Sequence, residues 1–543
     1  MRTTSSVIKL LKKNVHVLLL FLLIFSHVIL AILWLIENEN YLYSSDQSDY
    51  LLVSSEYYKA LTRGNMKYFF YLFSSAVPPL LVLVPIPFYS LFGLMDKIAI
   101  LPNFIYFSIL ILSTYGTGKE LTNKIEVGLI SAFVVSTFPI IKRFLTLFYL
   151  DFPLMAMTTL SVYFLIKSDH FKSLKYSILL GIAIGLAALS KFAFILFLAL
   201  PILYALFTSS LKQVKIIRNV IITIVIVCML SLPWYLSVLD KIIDKFFRGY
   251  LEYVFYMSSL KKGQTVNLFE YFIPSIPAQI SPFFLLLFFI SIPFVIYGVY
   301  IKKIKKEAVI LFLSIIPSFI IFTIIPFSLP RYILPILPFI GIVAVLSLSL
   351  ITSSLLKILF IFLILVAGMY NVWILDKIPL NSYFAEGLQP VNKVEFERLL
   401  RYLIEDSNGK PFTYTGLSIN LKLLSYHLSF RGIDSRLIEL INTESIFYPC
   451  VLRADYFILT EGVKRELMVE RDKQQAMEIY NMFKNNSSEI KNYFEFIDTF
   501  YIFPSETYLN EFVKVELYKR NTKMIPEEYL GYNCNYGYLG PID

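Results

Sequence analysis

The chain has 543 residues, of which 57% are hydrophobic and 16% are charged, and its net charge is +10. A soluble domain is about half apolar and about a quarter charged, so the composition excludes an ordinary soluble protein and indicates a membrane protein. The basic residues lie mostly in short loops between long apolar runs, where they report orientation. No nucleic-acid partner is therefore expected, despite the positive charge.

The first apolar run covers about 15–36 and follows a basic flank. It is long and lacks a small-residue cleavage site, so it predicts an uncleaved transmembrane helix with the N-terminus in the cytoplasm. The next residues, 37–97, are expected to form an outer loop. It contains a predicted helix over Tyr50–Arg63, which stops at Gly64, and an apolar segment, 78–93. Four prolines make 78–93 a poor spanning helix, so we expect it to lie in or near the membrane interface.

Ten further apolar runs predict transmembrane helices. Their approximate ranges are 98–117, 125–141, 152–167, 175–190, 192–208, 218–238, 280–300, 308–326, 332–350 and 356–375. On this count the N-terminal tail and the cytoplasmic loops together carry 17 Lys and Arg residues, as the positive-inside rule requires. The prediction is a multi-pass protein of the plasma (inner) membrane with about eleven spans and an extracytoplasmic C-terminus.

Residues 376–543 differ from the rest because their apolar runs are shorter and their charges more frequent. Alternating and helical patterns predict a small extracytoplasmic α/β domain. Strands are expected at KPFTYTG, DSRLIELI, ADYFILTEG, YFEFIDTFYIF and EFVKVELYKR, and helices at INLKLLSYHLSF and VKRELMVERDKQQAMEIYNMFKNN. The predicted domains are thus a membrane domain over 1–375, with its first outer loop at 37–97, and a soluble domain over 376–543.

Three cysteines make no disulfide framework or zinc motif. Cys228 lies in an apolar run and is expected to be packed there. Cys450 and Cys534 both lie in the C-terminal part and could pair in an oxidising compartment. The four histidines are scattered, so neither histidine catalysis nor a histidine-rich metal site is expected.

Ionisable residues gather instead at the predicted outer ends of the spans. They are Asp46, Asp49, Glu56, Lys142, Arg143, Asp151, Lys191 and Arg331. Charges near a membrane are costly unless they face a cavity or a partner. Carboxylates can activate an acceptor hydroxyl while cations hold a phosphate leaving group. The alternatives remain open, because Asp46 is also a favoured helix N-cap and a lysine can extend its charged end to the interface.

Four segments in order resemble signatures of the GT-C glycosyltransferase superfamily. They are SSDQSDY with EYYKAL, YLDFPLMAMTTLSVYFL, GLAALSKFAFILFLALP and LPRYILPILP. The nearest kin are family-39-like enzymes, namely protein O-mannosyltransferases and aminoarabinose transferases, and the resemblance covers about 15–375. It implies transfer of a sugar from a polyprenyl-phosphate carrier to a protein, lipid or glycan acceptor on the outer face. Inversion follows if the activated acceptor displaces the phosphate in one step.

The resemblance also implies roles for particular residues. Asp46 matches the general base, and Asp49 is its rival in the same segment. Asp151 matches an aspartate that orients the acceptor or helps to hold a metal. The expected substrate-binding residues are Arg331, which matches a carrier-phosphate position, with Lys191, Tyr332, Tyr50 and Arg143.

Metal dependence stays open, because the long loop 239–277 lacks the histidine that some relatives use as a metal ligand. No cofactor is certain, and a divalent metal is not excluded. The rival function is a transporter or flippase of lipid-linked or amphipathic solutes, whose charges should lie near span centres. A structural scaffold is the third alternative.

Overall fold

The structure is a computed structural model of the whole chain, and it describes most of the residues. The described ranges are 2–37, 41–43, 46–75, 77–209, 213–244, 276–324, 330–375, 388–390, 392–408, 410–417, 421–433, 435–437, 448–460, 480–485, 492–504 and 512–521.

The described part is mainly helical. The α-helices are α1 Arg2–Glu37, α2 Asp46–Thr62, α3 Met66–Phe73, α4 Pro79–Leu83, α5 Ile86–Phe92, α6 Asp96–Ala99, α7 Pro102–Thr122, α8 Ile125–Ser136, α9 Pro139–Leu145, α10 Asp151–Lys167, α11 Leu174–Ala188, α12 Phe194–Thr208, α13 Val214–Ser237, α14 Ile276–Ile280, α15 Pro282–Tyr300, α16 Val309–Ile324, α17 Leu337–Leu346, α18 Ser354–Leu375, α19 Lys393–Asp406, α20 Leu421–Phe430 and α21 Tyr448–Arg453. Short 3-10 helices cover Lys306–Ala308, Pro330–Ile336 and Ser347–Leu350.

The chain divides into two compact units. We call them the membrane unit and the outer unit. The membrane unit comprises 1–35, 73–85 and 100–384, and the outer unit comprises 36–72, 86–99 and 385–543. The outer unit therefore contains most of the first loop as well as the C-terminal region.

Helices in the membrane unit occupy every predicted span, with shifts of a few residues at most ends. The run 125–141 is a single predicted helix, but the structure divides it into α8 and α9, which meet at an angle of 67°. Proline explains the break, because Pro139 has no backbone N–H and disfavours the helical conformation of Phe138, which is extended. Lys142 and Arg143 thus lie on α9, whereas the predicted helix ended at residue 141.

Prolines also shape two other segments. Residues 78–93 form the short helices α4 and α5, as expected for a run broken by prolines. The predicted helix 332–350 starts as the 3-10 helix Pro330–Ile336 and becomes α-helical only from Leu337. All ten residues of α17 are buried, and this helix packs against α7, α8 and α15 inside the membrane unit.

The predicted cytoplasmic loops meet at one end of the membrane unit. Glu120 accepts hydrogen bonds from Lys167 and Lys305, each at 2.6 Å. Glu126 pairs with Lys357 at 2.6 Å in the same way. These contacts join alternate loops, which is the arrangement expected if the intervening helices cross and return.

Length and composition identify fewer membrane spans than the sequence predicted. Among the described residues, six helices are long and apolar enough to cross a membrane, or seven if the bent pair α8–α9 counts as one span. Further apolar helices are shorter, including α11 and α12. The count of eleven therefore stays a prediction. Cys228, expected to be packed, is exposed on the surface of α13.

The outer unit contains a five-stranded mixed sheet. Its strands are β3 Phe412–Leu417, β4 Ser435–Leu437, β5 Tyr456–Thr460, β6 Phe494–Pro504 and β7 Phe512–Arg520, in the order β4-β3-β5-β7-β6. The strand β3 is parallel to β4 and β5, whereas β7 is antiparallel to β5 and β6. A separate pair joins β1 (Tyr41–Tyr43) to β2 (Leu388–Pro390).

The predicted α/β character of the C-terminal region is therefore confirmed. All five predicted strands are present. In DSRLIELI the described strand is Ser435–Leu437, and the other residues of this segment lie outside the described part of the chain. The amphipathic helix α19 was not predicted; it begins after Asn392, whose side chain accepts a hydrogen bond from the N–H of Glu395. Most of the predicted helix 463–486 and Cys534 lie outside the described residues.

The orientation can be tested by cysteine labelling in a background whose three native cysteines are replaced by serine. We expect Lys410→Cys, in the outer unit, to react with an impermeant maleimide in intact cells. Lys303→Cys, in a predicted cytoplasmic loop, should react only after permeabilisation, because the bilayer blocks the reagent. The reverse pattern would invert the predicted topology.

Candidate active site

Three chain segments bring charged side chains together in the membrane unit. Asp151 is the first residue of α10, Lys191 follows α11, and Arg331 lies in the 3-10 helix after α16. The Lys191 Nζ lies 2.6 Å from Asp151 Oδ1, and the Arg331 Nε lies 3.7 Å from Asp151 Oδ2. We call these three residues the charged cluster. They come from positions up to 180 residues apart, and the sequence predicted each of them as a site residue.

Aromatic rings hold the two cations of the charged cluster. The Lys191 Nζ lies 4.5 Å from the centre of the Tyr332 ring. The Arg331 guanidinium lies 4.6 Å from the centre of the Tyr149 ring and 5.9 Å from that of Tyr332. Cations over aromatic faces are attracted by the ring quadrupole. Tyr332 was predicted to bind substrate, whereas Tyr149 was missed, although it precedes Asp151 by only two residues.

The buried amide of Asn103 fixes the chain segment that precedes Asp151. Asn103 donates hydrogen bonds from Nδ2 to the carbonyl oxygens of Phe144, Leu145 and Leu147, at 3.3, 3.3 and 2.7 Å. The last carbonyls of a helix lack partners within the helix, so this amide satisfies the end of α9 and fixes the chain that leads to α10. Sequence analysis missed Asn103, because an asparagine within an apolar run carries no specific signal.

The turn that carries Lys191 is also fixed from several directions. The Tyr235 hydroxyl donates to the carbonyl of Ala188 at 3.1 Å, and the N–H of Leu80 donates to the carbonyl of Leu189 at 3.1 Å. Phe192 stacks on Trp234 with ring centres 5.4 Å apart. Lys191 thus lies in a short turn whose position is fixed by contacts with other segments of the membrane unit.

Electrostatics assign different tasks to the members of the charged cluster. Asp151 and Arg331 are both buried, with exposures of 3% and 6%. Burying an ion costs several kcal/mol unless a counter-ion compensates it. Because each oxygen of Asp151 faces a cation, this carboxylate can orient Lys191 and Arg331 but is badly placed to remove a proton from an acceptor.

The remaining predicted site residue of the membrane unit is Arg143. It is buried on α9, and its guanidinium lies 5.4 Å from the centre of the Trp34 ring, near the end of α1. The structure thus places Arg143 against an aromatic residue of the first span.

Asp46, Asp49 and Tyr50 belong to the outer unit. The sequence predicted a helix from Tyr50, but α2 begins at Asp46, so both aspartates lie in its first turn. Negative charge is favourable there because the helix dipole and the orphan N–H groups are positive. Asp49 is buried, with 7% exposure, whereas Asp46 and Tyr50 are half-buried.

Among the residues that the structure describes, no group of three or more Asp, Glu, His or Cys side chains could hold a metal ion. The charged cluster does not fit a divalent cation, because Lys191 and Arg331 already surround its single carboxylate. His427 of α20 is buried, and burial together with the nearby Arg431 lowers its pKa well below the usual range.

The ion pairs of the charged cluster predict that replacing Asp151 destabilises the protein more than replacing the exposed Asp169. Asp151→Ala leaves two cations without their carboxylate at a buried position, so we expect a loss of about 3–5 kcal/mol and a lower melting temperature in detergent. Asp169→Asn is the control, since the pair of Asp169 with Lys172 is exposed and worth about 0–1 kcal/mol. Asparagine also tolerates the left-handed backbone at this position, where φ is 50°. Equal melting temperatures for the two variants would contradict the assignment.

A comparison with protein families gives one match over part of the chain. Residues 76–234 match the family described as dolichyl-phosphate-mannose-protein mannosyltransferase. This segment includes Asp151 and Lys191, while Arg331 lies beyond it. No curated protein sequence matches the chain.

Solved structures match over most of the chain. ArnT from Cupriavidus metallidurans in the apo state has a TM-score of 0.55 at 12% identity, covering 91% of this chain and 97% of ArnT. ArnT bound to undecaprenyl phosphate gives 0.56 at 12% identity, with coverages of 92% and 98%. The apo oligosaccharyltransferase of Archaeoglobus fulgidus gives 0.53 at 12% identity, with coverages of 82% and 70%.

ArnT and the archaeal oligosaccharyltransferase are both members of the GT-C superfamily. At 12% identity these matches establish a shared fold. The predicted resemblance and the predicted fold class, helical membrane region and C-terminal α/β domain included, are thus confirmed. The chain has the fold of the GT-C membrane glycosyltransferases, and over residues 76–234 its sequence also matches a mannosyltransferase family of that superfamily.

Proposed function

We propose that this protein is an integral-membrane glycosyltransferase that moves a sugar from a polyprenyl-phosphate carrier to a protein, lipid or glycan acceptor on the outer face of the membrane. The fold and the family match support glycosyl transfer in general. The carrier is proposed by analogy with ArnT, which has been solved with undecaprenyl phosphate bound.

The observation that carries the proposal is the charged cluster. Asp151 positions the Lys191 ammonium and the Arg331 guanidinium at the meeting point of three helix ends. An ammonium has three donors and a guanidinium has five, so both groups retain the capacity to bind phosphate oxygens while they contact one carboxylate. Cations at a site of low dielectric stabilise the charge that develops on a leaving phosphate.

The general base is proposed to be Asp46. Its half-buried side chain is more accessible than that of Asp49, and accessibility is what an incoming acceptor hydroxyl requires. Asp49 remains the rival. Tyr50, in the same turn, is proposed to contact substrate, together with Tyr332 and Arg143.

The reaction is a single displacement at the anomeric carbon of the sugar. The acceptor hydroxyl gives its proton to the Asp46 carboxylate, and the acceptor oxygen forms a bond to the anomeric carbon. The bond from that carbon to the phosphate oxygen breaks at the same time, and the carrier phosphate leaves with the electron pair. One displacement inverts the anomeric configuration. The cations of the charged cluster stabilise the leaving phosphate.

The distribution of charge favours an enzyme over a transporter. A transporter concentrates ionisable residues near the middle of its spans. In the membrane unit, Asp151 begins its helix, Lys191 follows one and Arg331 precedes α17, so all three lie at helix ends. We place the protein in the plasma membrane, with the N-terminus in the cytoplasm and the outer unit outside.

The base is tested with purified protein in lipid and a panel of polyprenyl-phosphate sugars. We expect Asp46→Asn to lower kcat by about 10²–10⁴-fold, the contribution typical of general base catalysis. Asp49→Asn is the control, and it should retain most of the activity. If Asp49→Asn is the inactive variant, the base is misassigned. If no donor is consumed and labelled lipid crosses the bilayer instead, the protein is a transporter.

The phosphate-binding role is tested by Arg331→Lys and Lys191→Met. Arg331→Lys keeps the charge but loses the planar fork that can grip two phosphate oxygens. We expect both variants to weaken binding of the undecaprenyl phosphate product and to lower kcat/KM for the donor about 10–100-fold. The matched control is Lys172→Met, which removes an exposed lysine from the opposite end of the membrane unit. Unchanged product binding in the first two variants would show that the charged cluster does not bind the phosphate.

A further inference from the structure

A buried polar network ties helix α2 to helix α20 within the outer unit. The Lys59 Nζ donates to Glu56 Oε1 at 2.9 Å and to Ser429 Oγ at 2.8 Å. The Ser429 hydroxyl donates to Glu56 Oε1 at 2.7 Å, and it lies 2.5 Å from the Ser55 hydroxyl. Ser429 belongs to the C-terminal region and the other three to the first loop, so the network joins segments about 370 residues apart.

Burial makes this network expensive to disturb. The exposures of Ser55, Glu56, Lys59 and Ser429 are 0%, 3%, 6% and 2%. A buried charge or hydroxyl without a partner is destabilising, so each member requires the others. On the α3 side, the Tyr68 hydroxyl donates to Glu56 Oε2 at 3.2 Å, which adds a further partner to the carboxylate.

Aromatic packing beside the network holds the same two helices. The Tyr89 ring of α5 lies edge-on to Tyr58 and to Phe430, with ring centres 5.6 and 6.0 Å apart. The Tyr89 hydroxyl lies 3.2 Å from that of Ser54. Contacts from α5 and α20 therefore restrict rotation of α2 about its axis.

The network acts on the same helix that carries Asp46. An α-helix rises about 1.5 Å per residue, so Glu56 lies about 15 Å along α2 from Asp46. Successive residues are rotated by about 100°, so fixing the face that contains Ser55, Glu56 and Lys59 also fixes the direction in which Asp46 points. A rotation of α2 would displace the Asp46 carboxylate.

We propose that Ser429 is a positioning residue for the general base, and that through it the C-terminal region orients the catalytic helix α2. This inference rests on the proposed function, because it takes Asp46 as the base. It assigns the C-terminal region a role in catalysis that is separate from acceptor binding. Ser429 acts through Glu56, Lys59 and Ser55, and it takes no part in the reaction.

The test compares two buried serines of the same helix. Ser429→Ala removes the hydrogen bonds from α20 to α2. The control Ser425→Ala removes a hydroxyl whose described partner is Tyr414 of β3. We expect Ser429→Ala to lower kcat about tenfold, because small misplacements of a catalytic group are costly, while KM for the donor stays unchanged. Hydrogen exchange over 46–62 should become faster. Ser425→Ala should keep the kcat of the wild type, and Ser429→Thr, which retains the hydroxyl, should restore most of it.

A double-mutant cycle checks the link from the other side. Ser55→Ala breaks only the contact between Ser55 and Ser429, so it should lower kcat less than Ser429→Ala does. The double variant should lose no more than Ser429→Ala alone, since that change has already broken the shared contact. A normal kcat in Ser429→Ala, with Asp46→Asn inactive, overturns this inference and leaves the proposed function intact. An active Asp46→Asn instead overturns the assignment of the base on which the inference depends. Equal losses in Ser425→Ala and Ser429→Ala would show a general effect on folding and would also overturn it.

Discussion

A buried carboxylate between two cations is the constraint on which the membrane unit depends. Asp151 is almost fully buried, and an isolated ion at such a position would cost several kcal/mol. Lys191 and Arg331 compensate this cost, and their side chains must approach from other segments. Three helix ends therefore converge on one point, and Asn103 and Tyr149 stabilise the approach to it. The same arrangement that satisfies Asp151 also presents two cations, which is the chemistry that a phosphate-linked donor needs.

Buried charges in the outer unit also require partners, and here the partners join two helices. Glu56 and Lys59 are buried on one face of α2, and Ser429 completes their hydrogen bonds from α20. Polar groups buried in this way specify one arrangement of the two helices, because any other leaves charges unpaired. In the membrane unit the buried charges are proposed to meet the substrate, whereas in the outer unit they are proposed to hold the helix that carries the base.

Much of the fold could be predicted from the sequence, because the signals for helices and strands lie within short segments of the chain. Apolar runs of about 20 residues indicate membrane helices whatever their neighbours are, and alternation in YFEFIDTFYIF and EFVKVELYKR indicates strands, which pair as β6 and β7. The predictions were wrong at details that depend on single prolines or on the exact helix start. Pro139 divides one predicted helix into two, and α2 begins at Asp46 rather than at Tyr50.

For the site, the sequence by itself determined which residue types are available and where they lie along the chain. Asp151, Lys191 and Arg331 were predicted because charges at the ends of apolar runs are costly unless they face a cavity or a partner. Tyr332 was named on the family resemblance. Only the tertiary structure decided that these four come together, that Asp151 lies between two cations, and that Tyr149 and Asn103 support this arrangement. It alone joined Ser429 to Glu56. Contacts between residues far apart in the chain arise from packing, and packing leaves no periodic signal in the sequence around either partner.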